Sequence, residues 1–395
     1  MYNKKMYELG TKPSAIRNLF EYGKIRKSQI GSDNVFDFSL GNPSVPCPEI
    51  VNQTLIDLIN NTESTKLHGY TSAVGDDGVR CAICEYLNKT YAANVDKNLI
   101  YLTVGAAASL TITFNAILNP GDEVVVIAPF FPEYQVFIEK ANGKVVVVQS
   151  EENTFLPDVL KIKEKITSRT KTVLINYPNN PTGVMIDEVT LKALCNVLKE
   201  KEIEYGHPIY LISDEPYREL LYNNKPYLFV TNYYDNTVVC YSFSKSLSLP
   251  GERIGYVLVN PSCKNAKDVF FAICGAARAL GFVCAPALFQ YMISNCLGYT
   301  SDLKVYELNR DLLYDNLTNI GYDVVKPDGA FYLFVKALED DANKFCETAK
   351  EFELLIVPSD SFGCSGYVRI SYCVDTEMIK RSISSFKALY DKYME

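Results

Sequence analysis

The sequence predicts an α/β protein, a mostly parallel sheet covered by helices on both faces, with a smaller α+β unit toward the C-terminus. Three observations carry this reading. Short, near-continuous Val/Ile-rich runs recur at 123–128, 144–148, 172–175, 208–213, 237–241 and 255–259. Segments of helical period separate most of them, and a strand that is apolar on both faces needs helices on both sides. After Tyr322 the texture changes to mixed strands and helices.

Taken in order, residues 14–20 carry a short helical pattern, followed to about residue 30 by a polar, glycine-containing linker. Residues 35–40 alternate like a strand that stops at Gly41-Asn42-Pro43, a turn in which glycine lets backbone come close to a ligand. A helix is expected at 48–60 and an amphipathic one at 76–91, with His68 to Gly75 between them. The buried run 99–104 breaks into Gly105-Ala106-Ala107, which opens another helix. The alternation continues with helices at 132–141, 156–166 and 187–202 and a rigid turn at 176–183. Beyond the last sheet strand a helical region runs from 268 through 278, breaks near Pro286 and continues to 319. The C-terminal part carries an apolar run at 329–335, a helix at 341–352 and strands at 354–357 and 367–372.

A chain of 395 residues is too long for one compact core and implies two domains or a large one with a smaller lobe. The formal charge of −8 is spread without a basic cluster, which argues against nucleic acid or an anionic membrane as partner. Cys81, Cys84, Cys195, Cys240, Cys274 and Cys284 fall in apolar segments, and the only histidines are His68 and His207. That pattern suits buried free thiols in a reduced, cytoplasmic compartment better than a metal or redox site. No apolar run approaches the roughly 20 residues that span a bilayer, so no membrane segment is expected.

Chemistry-bearing residues gather where strands end. Ligands of open α/β sheets bind beyond the carboxyl ends of the strands, and Gly105, Phe131, Asn180, Asp214 and the run Ser242 to Lys245 follow successive expected strands. A lysine leaving a strand end for a pocket loses its proton more easily and becomes a nucleophilic amine. Ser242 and Arg253 offer a hydroxyl and a guanidinium fork to an anion beside Lys245. The small residues at 105–107 leave backbone N–H groups free at a helix start, a plausible phosphate seat that is neither a Walker loop nor a dinucleotide fingerprint. On these residues alone a solvated loop lysine stays open as an alternative.

Together, Ser-x-x-Lys at 242–245 with Arg253, Asp-Glu-x-Tyr at 214–217, Asn-Asn-Pro-Thr-Gly at 179–183 and Val-Arg-Ile-Ser at 368–371 resemble the class I/II aminotransferases. These are fold-type-I pyridoxal-phosphate enzymes of the aspartate aminotransferase superfamily, and the likeness runs from Gly41 to Arg369. The resemblance implies a seven-stranded sheet in a large domain at 46–295 and a small domain built from 1–45 and 296–395. It implies that Lys245 binds pyridoxal 5′-phosphate as a Schiff base and then shuttles the substrate proton. By the same likeness Asp214 pairs with the ring nitrogen, while Tyr217 and Asn180 bond the ring oxygen. The phosphate falls to Gly105, Ala106, Ala107, Ser242, Arg253 and, from a second subunit, Tyr70. Phe131 stacks on the ring, and Arg369, with the Gly41 backbone, holds the substrate carboxylate.

Two departures bear on the substrate. Ala107 and Ala108 stand where some relatives carry a lysine that reads a side-chain carboxylate. Arg278 resembles an arginine that reaches that carboxylate across a homodimer, although its spacing to Pro286 differs. The expected activity is transfer of an amino group from an L-amino acid, aspartate favoured, to a 2-oxo acid such as 2-oxoglutarate. A pyridoxal-phosphate carbon–sulfur β-lyase and a non-catalytic cofactor-binding regulator remain alternatives at this point.

Overall fold

The computed structural model describes residues 2–11 and 15–395. Seven strands form the main sheet, in the order Ile100–Thr103, Gly255–Val259, Thr237–Ser242, Tyr210–Asp214, Thr170–Asn176, Glu123–Ala128 and Lys144–Gln149. Only Gly255–Val259 runs against its neighbours. The other pairs are parallel, so their carboxyl ends open on one edge.

The period of two in the strands sorts the core into two layers. Val125, Val173 and Leu211 pack with Leu191, Leu194 and Leu198 of the helix Glu188–Tyr205. Their neighbours Val124, Leu174 and Ile212 pack on the other side with Leu110, Phe114 and Ile138. Helices therefore cover both faces, as the unbroken apolar runs require.

A second, antiparallel sheet runs Val357–Pro358, Tyr367–Ser371, Tyr332–Lys336 and Val324–Val325. Phe36–Asp37 pairs in parallel with Leu354–Leu355, which ties the N-terminal segment to the C-terminal part. Phe38, Phe331, Leu333 and Phe386 share one buried cluster there.

Several expected elements change. The supposed linker belongs to a helix, Ala15–Ile30, in which a Cβ on Gly23 would lie 2.8 Å from Leu355 Cδ1, so close packing selects that glycine. Ser14, expected to begin this helix, lies outside the described residues. The strand at 35–40 shortens to Phe36–Asp37, because its partner offers only two residues of ladder. The single helical region becomes Ala266–Leu280, Ala287–Cys296 and Leu303–Ile320, with Gly281 closing the first in the left-handed conformation. A helix at Thr376–Met394, buried through Ile379, Phe386 and Leu389, was not anticipated. All twelve cysteines are free, but of the six singled out only Cys195 and Cys240 are buried, since the others sit on half-exposed helix faces and loops. Among the described residues no helix is long and apolar enough to cross a membrane, and no group of His, Cys, Asp or Glu could hold a metal ion.

Just past the strand Tyr210–Asp214 lies a buried ion pair. Arg218, 1% exposed, donates from Nε to Glu215 Oε2 at 2.7 Å and from Nη1 to the Tyr256 hydroxyl at 2.8 Å. Its guanidinium carbon lies 4.2 Å from the Tyr241 ring centre and 5.1 Å from that of Phe229. Removing Arg218 leaves two buried acids, Glu215 and the neighbouring Glu219, without their cation, whereas removing Glu215 as well relieves one of them. Arg218→Met is expected to cost about 3–5 kcal/mol, and Glu215→Gln/Arg218→Met less. Urea unfolding of both proteins checks this; a double variant as damaged as the single one contradicts it.

Candidate active site

At the carboxyl edge of the main sheet lies a cavity of about 300 Å³. Gly41, Ala106, Ala107, Phe131, Asn180, Asp214, Tyr217, Ser242, Lys245, Arg253 and Arg369, all marked in the sequence, line it. Gly105 sits immediately behind, as the residue before the helix Ala106–Ile117. Tyr70 and Arg278 are not brought to the cavity of this chain. Tyr70 is 97% exposed and Arg278 lies exposed in the last turn of Ala266–Leu280.

The strand Thr237–Ser242 passes directly into the short helix Phe243–Ser246, which turns Lys245 into the cavity. Lys245 Nζ donates to the Gly41 carbonyl at 2.7 Å. Burial lowers its pKa to about 8; Arg253 and Arg369 push the same way, and the Cys373 thiol opposes them. A substantial share of this amine is therefore neutral at mildly basic pH.

Behind it lies a group of hydroxyls and a guanidinium that could hold an anion. Ser242 caps the short helix by accepting from the Ser244 N–H, and the two hydroxyls are 2.8 Å apart. Arg253 reaches Ser244 Oγ at 3.4 Å and the Pro250 carbonyl at 3.0 Å. Gly105 has φ +97°, which calls for glycine, and a Cβ there would also stand 2.8 Å from the tip of Arg253. The first N–H groups of Ala106–Ile117 have no partner within the helix and open on the same space.

Asp214 closes the strand Tyr210–Asp214 and is 4% exposed. Its Oδ2 accepts from the Tyr134 hydroxyl at 2.5 Å, while Oδ1 is buried without a partner. Burial raises its pKa to about 7; the Tyr134 bond lowers it and the neighbouring Glu215 raises it. Asn176 fixes the strand ends in place, donating to the Asp214 carbonyl at 2.8 Å and accepting from the Asn180 N–H at 2.9 Å.

On the opposite wall Arg369, 2% exposed, donates to Asn180 Oδ1 at 3.1 Å and to the Ser39 carbonyl at 2.6 Å. Its Nε has no partner. Tyr217 and Tyr332 face each other with hydroxyls 2.8 Å apart. Tyr134, Tyr332, Asn176 and Ser39 were not singled out in the sequence. Tyr134 had a local signal, one helical turn after Phe131, and Asn176 opens the turn marked at 176–183.

The raised pKa of Asp214 has a consequence for stability. The folded protein holds this proton up to about pH 7, the unfolded chain only to about 3.8. The stability that Asp214 contributes is thus complete below about pH 4 and is lost as the pH rises through about 7. In ligand-free protein, Asp214→Asn should gain roughly 2–3 kcal/mol over the wild type between pH 5 and pH 8. Denaturant unfolding at the two pH values checks this, and an identical pH response in both proteins contradicts it.

Residues 33–386 match the family of class I and II aminotransferases. The chain is 30% identical over 388 residues to a probable aspartate aminotransferase of Methanocaldococcus jannaschii, covering 96% of this chain and 98% of that protein. The crystal structure of an aminotransferase from Eubacterium rectale is 54% identical and superposes with a TM-score of 0.98 over all of both chains. The aspartate aminotransferase of Thermus thermophilus with maleate is 26% identical, with a TM-score of 0.85 over 98% of this chain and 100% of that one. With the sheet, the lysine and the buried carboxylate in agreement, the chain belongs to the class I and II aminotransferases, pyridoxal-phosphate enzymes of fold type I, and is aspartate aminotransferase-like.

Proposed function

We propose that this protein is a homodimeric transaminase that moves the α-amino group of an L-amino acid, aspartate or one like it, to a 2-oxo acid such as 2-oxoglutarate. One observation supports the reading above the rest: Asp214 Oδ1 is buried and unpartnered in the cavity that also holds the Lys245 amine and Arg369. A buried acceptor without a donor is costly, and a protonated ring nitrogen would relieve it. The seat around Gly105, which a Cβ would fill, suits a phosphate.

The residues present therefore fit pyridoxal 5′-phosphate, held covalently on Lys245. Bound there, it would supply a carrier for the amino group and a sink for the electrons released at Cα. Asp214 would hold a proton on the ring nitrogen, and that cation would draw the carboxyl back toward its ionised form. Tyr217 and Asn180 donate to the ring oxygen, and Phe131 covers one face of the ring. Ser242, Arg253 and the N–H groups of Ala106 and Ala107 hold the phosphate, with Tyr70 added by a second copy of the chain. Arg369 grips the α-carboxylate in a fork, beside the Gly41 backbone. Lys245 Nζ, once displaced by substrate, takes the proton from Cα and returns it on the other side of the exchange.

Gly41 and Arg369 come from the parts of the chain at 1–45 and 296–395, and the cofactor residues from 46–295, which supports a cavity shared between the two domains expected from sequence. An acidic side chain needs a further cation, and Arg278 of the second copy is assigned to it. The names of the M. jannaschii and T. thermophilus relatives support aspartate as the substrate.

Lys245→Ala is expected to abolish turnover while cofactor still binds, now reversibly through the Asp214 and phosphate contacts; steady-state assay and dialysis measure both, and an active alanine variant sinks the mechanism. Arg278→Ala should raise KM for aspartate about 10- to 100-fold and leave KM for alanine unchanged. Equal effects on the two amino acids would remove Arg278 from substrate recognition.

A further inference from the structure

We propose that Tyr332 is a positioning residue of this reaction: its ring seats Arg369, and its hydroxyl, acting through Tyr217, sets how strongly the site holds the cofactor's ring oxygen. The proposal rests on the functional reading above. Three contacts meet on this one buried side chain. Its hydroxyl is 2.8 Å from that of Tyr217. The Arg369 guanidinium carbon lies 4.6 Å from its ring centre. A Cβ on Gly41 would fall 2.0 Å from the Tyr332 hydroxyl oxygen, so the glycine that accepts from Lys245 through its carbonyl is also what gives the phenol room.

Strand pairing sets up this meeting. Tyr332 faces Ser371 and Phe334 faces Arg369 across the antiparallel ladder, which makes Tyr332 and Arg369 diagonal neighbours on one face. An aromatic ring spans that diagonal, and the guanidinium packs on its face. The carboxylate-gripping arginine and the ring-oxygen tyrosine are thereby joined through a single residue.

Two phenols bonded to each other share one proton direction. When Tyr217 donates into the cavity, the proton between the pair belongs to Tyr332, which then donates to Tyr217. A hydroxyl that accepts one bond donates the next more strongly. Burial pushes the Tyr332 phenol up to about 12 and that of Tyr217 well above its ordinary value, so neither ionises in the working range. A stronger donor at the ring oxygen favours the unprotonated lysine linkage, so Tyr332 lowers the pH at which that linkage gives up its proton. Arg253, Arg369 and Cys373 face Lys245, and Asp214 and Arg369 face Tyr217; removing the Tyr332 hydroxyl deletes none of these groups.

The test is a pH titration of the visible absorption of cofactor-loaded wild type, Tyr332→Phe, Tyr217→Phe and the double variant, with melting of the cofactor-free proteins as the fold control. Tyr332→Phe is expected to move the midpoint up by about 0.5–1 pH unit and, in the Tyr217→Phe background, to move it no further. Tyr332→Phe keeps the ring that seats Arg369, so its KM for the amino acid should rise less than that of Tyr332→Leu, which loses both functions and should raise it about 3- to 30-fold. A Tyr332→Phe protein that titrates like wild type, a shift that persists in full without the Tyr217 hydroxyl, or a Tyr332→Leu protein with unchanged KM would overturn the proposal. A wild-type protein with no lysine-bound absorption band would instead overturn the functional reading and this proposal with it.

Discussion

Asp214 brings a carboxylate to the end of a buried strand, and the protein meets only one of its two oxygens. Tyr134 bonds Oδ2 at 2.5 Å, while Oδ1 is left without a donor. Burial prices this arrangement, raising the acid to about 7. The rest of the site is arranged around that incomplete group. Asn176 pins the strand ends that carry it, and the Lys245 amine faces the same cavity with its own pKa lowered by burial. An acid kept partly neutral and a lysine kept partly neutral are two halves of one strategy. Both are held short of their ordinary charge by burial.

Parallel topology makes this possible. Four consecutive parallel pairings bring the ends of separate strands to one edge, so residues distant in sequence meet without long loops. The wall opposite comes from elsewhere. Gly41 follows the N-terminal strand, whereas Tyr332 and Arg369 lie on the antiparallel sheet near the C-terminus. The pairing of Phe36–Asp37 with Leu354–Leu355 joins those two contributors before either reaches the cavity.

Much of this was legible in the sequence because it depends on local pattern. The unbroken Val/Ile runs announced strands buried on both faces, and the residues just after them were the lining of the cavity. Asn180, Asp214 and Lys245 were readable because each stands at or just past a strand end in a recognisable short motif, and Arg253 because it follows Lys245 in the same segment. Tyr332 and Ser39 were not, since each acts through a partner more than a hundred residues away, Tyr217 and Arg369, and no local spacing encodes that. The helix Ala15–Ile30 was cut short by the ordinary cost of a mid-helix glycine; contact with Leu355, invisible locally, reverses that preference at Gly23. The helix Thr376–Met394 had a periodic apolar face at 379, 386 and 389, overlooked among polar residues that only its packing explains.

The proposed role of the free Asp214 oxygen, to keep a ring nitrogen protonated, can be read from the nitrogen itself. Pyridoxal phosphate labelled with ¹⁵N at the ring position, bound to the protein at pH 8 and observed by NMR, should give the resonance of a protonated pyridinium. The resonance of an unprotonated ring nitrogen in wild-type protein would contradict the pairing with Asp214 and the electron-withdrawing role built on it.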